Sequence, residues 1–126
     1  MSWRALFAIA AFFNIVVGGA LLFASGPVFN AFGMPTPDTP MFIQVSGWLV
    51  VVFGLGYARV ARDPAGNRGI VFMGVIGKAA MPVLMGWYTL DGAAPLGAFL
   101  LTLGDLVFAA LFAVFLLMTP RPQPLS

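Results

Sequence analysis

Four apolar stretches, at 5–25, 41–60, 69–90 and 95–118, take up most of this 126-residue chain. Each reaches the roughly 20 residues that a helix needs to cross a hydrocarbon core about 30 Å thick. A backbone surrounded by lipid must satisfy its own hydrogen bonds, which leaves only helices or a closed barrel. Barrel strands are short segments of alternating polarity, and these stretches are long and do not alternate. The sequence therefore predicts an all-α integral membrane bundle of four transmembrane helices, with 1–126 as a single domain.

Composition points the same way. Charged residues make up 8% of the chain and hydrophobic ones 61%, against about 25% charged in a soluble domain. So few charges cannot cover a water-facing surface, and the lipid bilayer is the expected surrounding. Cysteine and histidine are absent, and so is glutamate. Those absences exclude thiolate nucleophiles and the usual imidazole and thiolate metal ligands, along with the commonest general base. No metal or other cofactor is expected. The net charge of +2 comes from scattered arginines rather than a basic stripe, so nucleic acid is not an expected partner.

The start of the chain resembles a signal peptide only superficially. A signal h-region runs to about 15 residues at most. Here the apolar run covers 5–24, broken only by Asn14, and no A-x-A site follows. A retained first span is expected.

The connections differ in character. "SGPVFNAFGMPTPDTP" (25–40) holds four prolines and a single charge, Asp38. Thr39 before Pro40 reads as an N-cap with proline at the first helical position, and Phe29, Phe32 and Met34 are expected to dip into the headgroup region. "RVARDPAGNRG" (59–69) carries Arg59, Arg62 and Arg68, whereas "DGAAP" (91–95) is a tight turn with Asp91. Arg4 and Arg121 flank the first and last spans. Arginine and lysine in short loops mark the cytoplasmic side, which predicts both termini inside, in a bacterial inner membrane. Trp48, Trp87 and Tyr88 lie toward the opposite ends of their spans, as interface aromatics do.

Within the spans the conspicuous polar residues are Asn14, Gln44, Lys78 and Asp105. Asn14 stands ten residues beyond Arg4, and Lys78 ten beyond Arg68, so both lie about 15 Å deep, near the midplane. In a hairpin turned at 92–93, Lys78 faces position 107, within about 3 Å in height of Asp105. The three form a candidate intramembrane cluster. Small residues on the faces of Ala10–Asn14–Gly18, Gly47–Gly54–Ala58 and Ala98–Thr102–Asp105–Ala109–Ala113 suit close helix contact. Pro82 removes the donor for the Lys78 carbonyl and predicts a kink there. Two readings follow. The pair fastens helices, or it is a proton- or ion-linked site of the kind that intramembrane charges often mark.

At "ARDPAGNRGIVFMGVIGK" and "LGDLVFAALFAVFL" the chain resembles small four-span bacterial inner-membrane proteins of the broadly DoxX-like kind. Gly77, Lys78, Gly104 and Asp105 are the matching positions, and the resemblance implies a four-helix membrane bundle without a defined activity. The chain is also similar in length and span count to the small multidrug resistance transporters. Those carry an embedded glutamate in the first span, where this chain has Asn14, which cannot release a proton. The expected function is non-enzymatic action through helix contacts, as an accessory subunit of a larger membrane assembly or as a homo-oligomer. The alternatives are a small-molecule or proton-coupled transporter centred on Lys78 and Asp105, and a lipid-modifying enzyme using the same pair as acid and base.

Overall fold

The computed structural model describes residues 2–121. The helices are α1 (Trp3–Phe23), α2 (Ser25–Ala31), α3 (Met41–Arg62), α4 (Arg68–Leu90) and α5 (Leu96–Met118), with a 3-10 turn over Ala65–Asn67 before α4. All but α2 are long and apolar enough to cross a membrane. The chain is a multi-span membrane protein.

Two antiparallel helix pairs make up the bundle: α1 lies along α3, and α4 lies along α5. Glycine makes the first pair close. A Cβ on Gly18 would come within 2.6 Å of the Gly47 carbonyl, and one on Gly47 within 2.8 Å of the Gly18 carbonyl. Each glycine is thus the recess for the other helix's backbone, the arrangement that brings membrane helices into direct contact. The second pair is closed by a turn in which Gly92 has φ +82°, a conformation that costs glycine little and other residues more.

Between the pairs the backbones stay further apart, and aromatic side chains bridge the gap. Phe7 of α1 packs against Phe112 and Phe115 of α5, with ring centroids 4.9 and 5.1 Å apart. Trp3 meets Phe115 edge-on, and Tyr57 of α3 meets Phe112 edge-on. Phe7, Tyr57, Val60, Val71, Phe112 and Phe115 are almost completely buried. This core lies toward the end where Arg4, Arg59, Arg62, Arg68 and Arg121 gather. Trp48, Trp87 and Tyr88 are exposed near the opposite end.

Two local expectations need revision. The 25–40 connection contains a helix, α2, because Pro27 falls in its first turn, where a missing N–H breaks no helical bond. Thr39 does not cap α3; Pro40 occupies that position and its carbonyl accepts from the Gln44 N–H instead. α4 continues through Pro82. The tail after 121 lies outside the described residues.

Candidate functional site

The bundle's midplane holds a single connected polar chain. The Lys78 ammonium on α4 donates to Asp105 Oδ1 on α5 at 2.8 Å and to Asn14 Oδ1 on α1 at 2.8 Å. Asn14 Nδ2 in turn donates to the Val50 carbonyl of α3 at 3.2 Å. All four spans are therefore tied through one lysine. Among the described residues Lys78–Asp105 is the one salt bridge.

Aromatic rings enclose the ammonium. Its nitrogen lies 5.1 Å from the Phe13 centroid, 5.1 Å from Phe108 and 5.5 Å from Tyr57. These distances fall inside the roughly 6 Å range of cation–π attraction. An ammonium has three donors; two are used by oxygens, and the electron-rich ring faces surround the remainder. Lys78 is left only 5% exposed, while the Asp105 side chain keeps 19%. The cluster is closed around the lysine and slightly open beside the aspartate.

Glycines seat the walls of this enclosure. A Cβ on Gly54 would lie 3.0 Å from Cβ of Asn14. One on Gly74 would lie 2.8 Å from the Tyr57 hydroxyl. At Gly104 the nearest atom would be on the Phe13 ring, at 3.7 Å. The small residues thus do more than let helices approach: they make recesses for the groups that surround Lys78. Gly77, next to the lysine, faces open space. Of the site residues expected from sequence, Lys78, Asp105 and Asn14 meet. Tyr57, Phe13 and Phe108 are additions, since an aromatic ring has no contrast in so apolar a chain.

The basic loop divides. Arg68 turns back onto α5, donating from Nη1 to the carbonyl and hydroxyl of Thr119 and from Nη2 to the Leu116 carbonyl, each at 2.8 Å. It satisfies the last carbonyls of a helix, whose negative dipole end favours a cation. Arg59 donates to Asn67 within the turn, where Asp63 also accepts from the Gly66 N–H. Arg62 instead lines a groove with Arg4, between α1 and α3. Among the described residues no group of three or more acidic side chains stands together as a metal site. No protein-family model, curated protein or solved structure matches the chain, and the DoxX-like resemblance thus gains no assignment.

Proposed function

We propose that this protein works through helix contacts, as an accessory subunit of a larger membrane assembly or as a homo-oligomer, with Lys78, Asp105 and Asn14 as its internal fastener. The observation that carries this reading is the closure of the polar chain. Lys78 spends its ammonium on partners from α1 and α5 and on three rings. Neither the groove lined by Arg4 and Arg62 nor a second one lined by Arg68 and Arg121 includes Lys78 or Asp105. A carrier needs its charged centre to exchange with water, and the lysine here is packed among its partners. Isolation of the intact protein in mild detergent, after cross-linking in membranes, should recover a second chain or a second copy in fixed ratio. A protein that stays single, and that moves protons or a small cation when reconstituted in liposomes, would overturn the proposal. The partial exposure of Asp105 is the feature that favours that transport reading.

We also propose an orientation for the bundle. The arginine end faces the cytoplasm of a bacterial cell and both termini lie there, in keeping with the bias of arginine toward that side. Because the chain has no native cysteine, single cysteines report it cleanly. Thr36→Cys and Ala93→Cys, both exposed, should react with an impermeant thiol reagent added to whole cells. Ala65→Cys in the basic turn should react only after lysis. Labelling of Ala65→Cys in intact cells, with the other two silent, would invert the orientation.

A further inference from the structure

The groove between α1 and α3 at the arginine end has a volume of about 540 Å³ and is lined by Arg4, Ala5, Ala8, Ala11, Ala58, Ala61 and Arg62. Its chemistry has two parts. Five alanines, from both helices, make an apolar trough, because a methyl group fills so little of the space between the backbones. Two guanidiniums stand at its mouth. From Arg4 to Ala11 the trough descends seven residues, about 10 Å into the hydrocarbon. It is an open groove rather than an enclosed cleft, and it runs along the two helices.

The two arginines have no internal employment. Arg59 is held by Asn67 and Arg68 by the end of α5, whereas Arg4 and Arg62 are exposed and donate no hydrogen bond among the described residues. The acidic neighbour, Asp63, accepts from Gly66 in its own turn. A second, larger groove between α4 and α5 also has an arginine pair, Arg68 and Arg121, but there Arg68 is already spent. The first groove alone combines two unpaired cations with an apolar trough beneath them. Its complement is a molecule with an anionic oxygen cluster at the surface and a hydrocarbon chain below.

We propose that this groove retains an anionic phospholipid, with its phosphate between Arg4 and Arg62 and the start of an acyl chain along Ala8, Ala11 and Ala58. The start of α1 favours the same charge. The positive end of the helix dipole lies there, beside Arg4.

The test uses the intact protein in detergent, thermally melted with phosphatidylglycerol, with phosphatidylcholine, or with inorganic phosphate. A lipid that binds only the folded state raises the melting temperature. Phosphatidylglycerol should raise it, and the other two should not, because one lacks the net charge and the other the chain. Each arginine near a membrane surface contributes about a fivefold preference for anionic lipid, so Arg4→Gln with Arg62→Gln should weaken binding about 30-fold. Ala8→Phe, at an exposed position, fills the trough without entering the core and should abolish the shift while both charges remain. Arg59→Gln removes the same charge outside the groove and should leave the shift intact. An equal shift with phosphatidylcholine, or one that survives both groove variants, would overturn the proposal. So would one that Arg59→Gln reduces as much as the groove pair does, since that marks diffuse surface charge. A shift with inorganic phosphate alone would mean an ion site without a lipid.

Discussion

Lys78→Met should lower the stability of the bundle by about 3–5 kcal/mol, the usual loss when one member of a buried ion pair is removed. Two groups are orphaned by that change: Asp105 loses its cation, and Asn14 Oδ1 loses its donor. Asp105→Leu should cost a comparable amount, because an uncompensated lysine near the midplane is itself unfavourable by at least about 2.5 kcal/mol. The double variant, Lys78→Met with Asp105→Leu, leaves no orphan charge and should recover much of the loss. Thermal melting of the four proteins in one detergent gives the coupling as a double-mutant cycle. Strict additivity would mean that the two side chains act separately. A stable double variant also separates the readings of the cluster: assembly equal to that of the unaltered protein identifies a fastener, whereas a stable but inert protein assigns the pair a chemical task.

Gly18→Ala should be the next most damaging single change, at about 1–3 kcal/mol, the cost of overpacking a close contact. The added methyl would meet the backbone of Gly47 and Val51, at 2.6 and 2.7 Å, and backbone cannot rotate aside as a side-chain tip can. α1 and α3 must separate, which also pulls Asn14 from the Val50 carbonyl. Gly19→Ala is the matched control, since nothing lies within 4 Å of the added carbon. Melting should distinguish the neighbours sharply. Equal losses would show that helix propensity, rather than contact with α3, governs both positions.

The four spans were legible because length and apolarity leave lipid-crossing helices no competitor. The Lys78–Asp105 contact was legible for a different reason: a five-residue turn between two helices fixes their register, so counting from 92–93 brings the two residues level. Asn14 needed only depth. What could not be counted was the azimuth of each helix. Tyr57, Phe13 and Phe108 are three among many aromatic residues, and nothing in their local sequence singles out the rings that face a lysine. Arg68 misled in another way. An arginine beside a turn reads as a topology signal, yet here the guanidinium completes the end of α5. The α2 helix was hidden by Pro27, whose place in a first turn is harmless but whose presence, with three further prolines, made the segment look irregular.

Both members of the ion pair belong to the same hairpin, and this bears on how the chain is made. Lys78 leaves the ribosome 27 residues ahead of Asp105, so α4 emerges ahead of the span that carries its counter-ion. The short turn then delivers α5 directly alongside. A charged span held at the lateral exit until its neighbour arrives would enter lipid as an electrically neutral unit. Asn14, Phe13 and Tyr57 belong to the earlier pair of spans and reach the lysine only when the two halves dock, whereas Phe108 arrives with α5. The order of synthesis is thus written into which helices carry the charges: had Asp105 stood on α1, the first hairpin would have entered lipid carrying an unpaired acid.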